Sequence, residues 1–340
     1  MKKINWGIIG LGNIANIFSE AFLNVNNAKL LSIASQNSKK LENFRAKYNI
    51  DKVFSFNNYS KLLKCKEIDI VYISLPHVFH YDLIVKSFEN NKNVLVEKPA
   101  FINLNQANFL SEFKKKNLFF TEGFMYRYLP QTQKIISIIK NGEIGKINSM
   151  ESSFGLNLLT KKKFFFFNKR KKIDPNNRLF NKELAGGCIL DLGCYTSSFS
   201  LLIASILENI NHKNFNILNV KKEMGETKID IESDAVISFE GGFKSKIKSS
   251  FKNNIGSKSI IYGSEGKIIL NNTWHGGSIK KEVKNKTYEI KENNIKNIYS
   301  YQIESVSQSL LDGLVQPYFP GTSAEETLLN TKILEEWLNV

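Results

Sequence analysis

Four stretches of the chain have residue types and spacings that could do chemistry. The first is Gly10-Leu11-Gly12-Asn13-Ile14-Ala15. It follows an apolar run that reads as a strand (residues 6–9) and opens a run with helical periodicity (residues 14–24). In that setting Gly10 permits a tight turn and Gly12 lets the backbone approach a pyrophosphate. Ala15 lets helix and strand pack closely, and the anion rests on the free N–H groups of the helix N-terminus. The chemistry indicated is binding of a dinucleotide such as NAD(P). The second stretch is Val94-Leu95-Val96-Glu97-Lys98-Pro99. It ends a predicted parallel strand, and ligands of open α/β sheets bind just beyond such strand ends. Outside that context Glu-Lys-Pro is only a polar turn. Here a lysine faces the cofactor cleft, Glu97 can orient it, and partial burial beside a positive nicotinamide could lower its pKa toward a range useful for proton transfer.

The third stretch is Ala185-Gly186-Gly187-Cys188-Ile189-Leu190-Asp191-Leu192-Gly193-Cys194-Tyr195. If it is helical, Asp191 and Tyr195 stand four apart on one face. A carboxylate and a phenol projecting together could bind a substrate hydroxyl and share its proton with Lys98. A capping Asp and a core Tyr would give the same spacing. The fourth, Ser35-Gln36-Asn37-Ser38-Lys39-Lys40, is informative for what it lacks. NAD-specific sites place Asp or Glu at the end of the second strand to hold the ribose 2′-OH. Here polar groups and lysines, Lys40 among them, could accept a 2′-phosphate instead. The balance tilts toward NADP and leaves NAD open, because Gln36 stands where an arginine would decide the matter.

The elements that must position these residues fall into two patterns. Up to residue 122, short apolar runs at 6–9, 29–34, 53–56, 70–74, 93–96 and 119–122 alternate with amphipathic stretches at 14–24, 38–48, 80–90 and 104–116. Such alternation predicts βαβ units and a doubly wound parallel sheet. Beyond it, a helix at 131–141 precedes strands at 147–154, 229–239, 243–251, 259–262 and 267–270 with polar–apolar alternation. Glu240-Gly241-Gly242 and Ser264-Glu265-Gly266 read as hairpin turns. A long helix at about 189–207 and closing helices near 299–313 and 323–338 complete a mostly antiparallel α+β region. The expected domains are therefore 1–122, which binds the cofactor, and 123–340, which binds substrate and oligomerises. The fold class is α/β.

Composition narrows the function classes. The 340 residues, 42% hydrophobic and 23% charged, describe a globular chain. The start, Met1-Lys2-Lys3-Ile4-Asn5-Trp6, leads into an apolar run too short for a signal peptide. No uninterrupted apolar stretch reaches the roughly 18 residues of a membrane span. The longest candidate, 189–206, holds Asp191 and many Ser and Thr residues. Cys65, Cys188 and Cys194 are odd in number and widely spaced, which argues against a disulfide framework or a zinc site and for a reducing cytoplasm. No metal is expected. The net charge of +15 invites a nucleic-acid partner. The lysines are scattered, however, and Lys, Asn and Ile are abundant together, as AT-rich coding also produces. The one cluster is 161–172, with Lys161-Lys162-Lys163, phenylalanines at 164–167 and Lys169-Arg170-Lys171-Lys172. It could stack bases, but an interface or insertion loop accounts for it with less. No nucleic-acid and no membrane partner is expected.

Taken in order, these motifs resemble the Gfo/Idh/MocA oxidoreductases over nearly the whole chain. The glycine loop, Glu97-Lys98-Pro99, Glu122-Gly123-Phe124-Met125-Tyr126-Arg127-Tyr128, Asn177-Arg178-Leu179-Phe180, Gly186-Gly187 and Asp191-Leu192-Gly193-Cys194-Tyr195 carry the resemblance. It implies a Rossmann domain followed by an α+β domain with a large open sheet, whose face often packs on another subunit in a homodimer or homotetramer. It also implies a catalytic Lys98 completed by Asp191 and Tyr195, with Ser74, Leu75, Pro76 and His80 lining the cofactor site and Arg127 near the nicotinamide. Many relatives have His where Tyr195 stands. The tyrosine form looks like the branch of dimeric dihydrodiol dehydrogenase, NADP-dependent D-xylose dehydrogenase and glucose–fructose oxidoreductase, which tends to use NADP. Two features depart from the pattern: Gln36 replaces a common arginine, and 161–172 is longer and more basic. The expected activity is reversible hydride transfer between the nicotinamide and a hydroxyl or carbonyl carbon of a sugar, polyol or related diol. The rival is a non-catalytic NAD(P)-binding sensor or scaffold.

Overall fold

The computed structural model describes residues 2–113, 116–163, 167–291 and 297–340. Two compact units emerge, Met1–Leu129 with Asn294–Leu328, and Pro130–Asn293 with Leu329–Val340.

In the first unit the strands β1 (Ile4–Ile9), β2 (Ala28–Ala34), β3 (Ser55–Phe56), β4 (Ile70–Ile73), β5 (Asn93–Glu97) and β6 (Phe120–Gly123) form one parallel sheet in the order β3-β2-β1-β4-β5-β6. The helices α1 (Asn13–Ala21), α2 (Ser38–Lys47), α3 (Tyr59–Leu63), α4 (His80–Glu89) and α5 (Leu104–Phe113) make the crossovers. Every residue of β4 is buried, as a strand covered on both faces must be. One core cluster joins Ile9, Val71, Ile73, Val94 and Val96 of the sheet to Leu83, Ile84 and Phe88 of α4. The strand order reverses between β1 and β4, so the crevice beyond their C-terminal ends is where a dinucleotide belongs.

The unit does not stop at residue 122, where the sequence reading ends it. Residues 123–129 stay with it, and the helix Ile298–Leu311 returns to it from far along the chain. The indole N–H of Trp6 donates to Ser307 Oγ at 3.0 Å, and Ser300 donates to the Ala21 carbonyl at 2.9 Å. Tyr299 packs edge-on to Phe18. Sequence contiguity cannot report a segment that returns after 164 intervening positions, 130–293.

In the second unit α6 (Pro130–Lys140) precedes β7 (Ile147–Gly155), the pair β8 (Thr160–Lys163) and β9 (Phe167–Arg170), and α7 (Cys194–Ser205). Then follow β10 (Asn211–Met224), β11 (Asp230–Glu240), β12 (Lys244–Ser250), β13 (Ser259–Gly263), β14 (Gly266–Leu270), β15 (Ile279–Val283) and β16 (Lys286–Ile290). Eight strands form a sheet in the order β10-β11-β12-β7-β13-β14-β15-β16, antiparallel except where β12 meets β7. Burial alternates along β11, so one face is covered and α7 lies against β7, β10 and β12. The stretch Lys182–Ser205 is long enough and holds an 18-residue window apolar enough to cross a membrane, but that window is wholly buried in the protein. It is a core element here. Its hydroxyls turn inward to partners, Ser197 to Asn330 at 2.6 Å and Ser200 to Ser245 at 2.7 Å.

Candidate functional site

The glycine loop fits a dinucleotide. Gly10 has φ +91, and a Cβ there would lie 2.7 Å from both the Ser74 carbonyl and Leu75 Cδ2, so only glycine fits. A Cβ on Gly12 would meet nothing within 4 Å, which leaves room for phosphate against the main chain. Gly12 is also the N-cap of α1, with no side chain capping it and no acid in the first turn. The first N–H groups of the helix are thus left for an anion. Leu11 and Ala15 are buried beneath the loop, Ile14 is half-buried, and Asn13 is exposed at its rim. The buried Ser74 hydroxyl donates to the Gly10 carbonyl at 2.8 Å and ties the loop to the turn after β4. Leu75 and Pro76 of that turn are half-buried.

At the end of β2, Ser35 is buried and its hydroxyl accepts the Asn37 N–H at 3.2 Å. Asn37 caps α2 by accepting the Lys40 N–H at 2.9 Å, and no acidic residue stands in that first turn. Gln36, Lys39 and Lys40 are exposed around it. Tyr59 of α3, a helix only five residues long that the sequence reading missed, stands near the Gln36 backbone.

Beyond β5, Lys98 is half-buried. Glu97 is buried, and its carboxylate accepts the Tyr72 hydroxyl from β4. Glu122, at the same end of β6, is almost fully buried and accepts the Ala100 N–H at 2.9 Å. Burial pushes the Glu122 carboxyl up to about 7, against the lowering effect of the Ala100 N–H. His80 has no exposed surface. Its Nδ1 lies 2.9 Å from the Pro99 carbonyl and its Nε2 lies 2.8 Å from the Leu75 carbonyl. Arg127 is also fully buried, with Nη1 donating to Glu326 at 2.9 Å and to the Pro320 carbonyl at 3.2 Å. These two residues, expected as cofactor contacts, stand in the protein interior with those partners.

In the second unit Asp191 sits in a π-helical turn, Ile189–Gly193, that runs directly into α7 and carries Tyr195 in the first turn of that helix. Such turns are frequent at functional sites. The turn is anchored by Asp230, whose carboxylate accepts the Ile189 N–H at 2.6 Å. Gly187 has φ +120, and the Asp230 carboxylate fills the place of its missing Cβ. Asp191 is buried and pairs with Arg178 at 3.1 Å, while the Arg178 side chain is 45% exposed. The Tyr195 ring packs between Phe154 and Trp274, each 5.4 Å away between centroids. Arg178 lay inside a motif read from the sequence, but its pairing did not show there. Trp274 and Asp230 carried no sequence signal. Of the basic segment 161–172, residues 164–166 lie outside the described residues. The flanking backbone pairs Thr160 with Arg170 and Lys163 with Phe167 in a two-stranded ribbon.

Comparison with known proteins agrees with this geometry. The profile of the oxidoreductase family with an NAD-binding Rossmann fold, GFO_IDH_MocA, matches residues 4–124. That of the GFO/IDH/MocA C-terminal domain matches residues 132–269. The trans-1,2-dihydrobenzene-1,2-diol dehydrogenase of Xenopus tropicalis is 27% identical over 98% of this chain and 96% of its own length. The D-xylose 1-dehydrogenase (NADP(+)) of Hypocrea jecorina is 32% identical over 56% of this chain and 51% of its own. Among solved structures, the aldose-aldose oxidoreductase from Caulobacter crescentus superposes with a TM-score of 0.84 over 99% of this chain and 97% of that one, at 18% identity, a likeness of fold. With both of its regions matched in order, the chain belongs to the Gfo/Idh/MocA family of oxidoreductases.

Proposed function

We propose that this protein is an NAD(P)-dependent dehydrogenase or reductase acting on a hydroxyl or carbonyl carbon of a sugar, polyol or related diol, with NADP as the preferred cofactor. The observation that carries this is the cradle at Gly10 and Gly12, which admits a pyrophosphate, with Lys98 two strands away at the same edge of the sheet. When bound, the nicotinamide accepts or supplies the hydride. Gly10–Ala15, Ser74, Leu75 and Pro76 bind and orient the dinucleotide. Ser35, Gln36 and Lys40 receive the ribose 2′ substituent, and the lack of an acid there supports a phosphate. Lys98 exchanges the proton of the reacting hydroxyl. Asp191, steadied by Arg178, accepts a neighbouring hydroxyl, and Tyr195 relays the proton. The assignment of Asp191 and Tyr195 to the substrate rests on the ordered family motifs.

Titration of NADPH against NADH by fluorescence tests the cofactor. A panel of D-xylose, other aldoses, inositols and trans-dihydrodiols, followed by NAD(P)H absorbance, tests the substrate class. Tight cofactor binding with silence across the panel would favour a sensor. A second copy of the chain is the expected partner, in a homodimer or homotetramer through the exposed face of the second unit's sheet. The side chains of Val236 and Ile260 lie half-buried on this sheet among charged neighbours such as Lys246 and Lys248. Cys65, Cys188 and Cys194, none of them in a disulfide among the described residues, support a cytoplasmic location.

A further inference from the structure

The turn that carries Lys98 is gripped by its own backbone. The carbonyl of Pro99 faces His80 Nδ1 at 2.9 Å, and the N–H of Ala100 donates to Glu122 at 2.9 Å. These are the main-chain groups that directly follow the lysine. Both gripping side chains are buried, Glu122 at 1% exposure and His80 at 0%, so neither bond competes with water. His80 also reaches the other way, with Nε2 2.8 Å from the carbonyl of Leu75. Leu75 is the residue whose side chain fills the space where a Gly10 Cβ would stand. A carbonyl oxygen only accepts, so each ring nitrogen that bonds must carry a hydrogen, and both bonds form together when both nitrogens carry one. Neither side chain is needed in the cofactor's path for this role.

We propose that His80 and Glu122 are positioning residues: His80 ties the lysine turn to the floor of the glycine loop, and Glu122 fixes the same turn from β6. This rests on Lys98 being the catalytic lysine. Small displacements of a reacting group cost rate steeply, about a hundredfold for roughly 1 Å, whereas cofactor affinity depends on the glycine loop. The two ends of His80 should therefore separate in their effects.

His80→Asn places an amide near the position of Nδ1 and keeps the Pro99 bond. His80→Gln reaches the position of Nε2 and keeps the Leu75 bond. With D-xylose and NADP as probes, His80→Gln should lose roughly tenfold or more in kcat with NADPH affinity within about twofold of the wild type. His80→Asn should keep kcat within about threefold and weaken NADPH several-fold, a split that the fluorescence titration reads without turnover. Equal losses in both variants, or the reverse split, overturn the role of His80. For Glu122, amide exchange at Ala100 followed by mass spectrometry needs no substrate. Glu122→Leu should strip its protection and Glu122→Gln, which keeps an acceptor oxygen, should retain it. Glu122→Asp, shorter by one methylene, serves if the leucine variant does not fold. Unchanged exchange in the folded variants overturns the role of Glu122. Normal turnover in Lys98→Met would instead sink the lysine assignment, while the exchange and affinity results would stand.

Discussion

The cofactor cradle and the Asp191 region are built from different parts of the chain. The cradle is made of main chain: Gly10 at φ +91, the uncapped start of α1, and a Gly12 with open space before it. The Asp191 region is made of side chains drawn from distant places. Phe154 comes from β7, Arg178 from a short 3-10 turn, Asp191 from a π turn, Tyr195 from α7 and Trp274 from beyond β14. Backbone recognition can be written in six consecutive residues and reused wherever a pyrophosphate must be held. Side-chain recognition has to be assembled by the fold, so it can vary with the substrate while the cradle stays the same.

The comparison breaks most visibly at Lys98, the residue proposed to do the chemistry. Lys98→Met should lower kcat by about a thousandfold or more and leave NADPH affinity within about twofold, since proton transfer and pyrophosphate binding are then separable. Stopped-flow turnover beside a fluorescence titration checks it. A variant with near-normal turnover would remove Lys98 from the mechanism. Gly10→Ala should do the opposite. The added Cβ meets Ser74 O and Leu75 at 2.7 Å in a left-handed backbone, so the loop must move. A cost of about 2 kcal/mol predicts NADPH binding weakened roughly thirtyfold, with kcat at saturating cofactor much less affected.

The same contrast explains what could be read in advance. β1, β4 and β5 are apolar runs buried on both faces, and their buried residues announce them. The long helix expected at 189–207 is present at 189–205, though its opening as a π turn is a matter of hydrogen-bond register that no periodicity reveals. β10, β15 and β16 escaped notice. They lie at the two ends of the sheet, carry Lys, Asn and Glu on both faces, and β10 slips register three times against β11. Their pairing is carried by backbone, which has no hydrophobic period. His80 and Arg127 show a third kind of limit. A motif places a residue near a site but does not tell whether its side chain faces the ligand or holds the wall behind it. Here each is fully buried, with bonds to backbone carbonyls and, for Arg127, to Glu326.

A subtler test uses Glu122, which belongs to the first unit yet is recognised by its side chain. Its carboxyl titrates at about 7, above the ordinary 4.5, chiefly because it is buried. The folded protein therefore keeps a proton that the unfolded chain has already lost. The resulting stability is whole below about pH 4.5, is lost as the pH rises toward about 7, and changes no further above that. Glu122→Gln is uncharged throughout. Measured from about pH 5 to pH 8, the wild-type Tm should fall relative to the variant, by an amount equivalent to up to roughly 3 kcal/mol. Parallel Tm curves would mean that the carboxyl is already ionised at low pH.

The smallest effect expected is at Arg178, and it probes the second region alone. Its ion pair with Asp191 at 3.1 Å joins a buried carboxylate to a guanidinium whose side chain is 45% exposed, so water and salt screen the attraction. Arg178→Met should cost about 0.5–1 kcal/mol in holding Asp191, seen as a substrate KM raised roughly two- to fivefold. NADPH affinity should not change, because nothing in the cradle depends on Arg178. Added salt should move the wild type toward the variant, whose KM should be flatter across the same range. A loss of NADPH affinity equal to the rise in KM would show that the two regions do not divide the labour of recognition as their construction suggests.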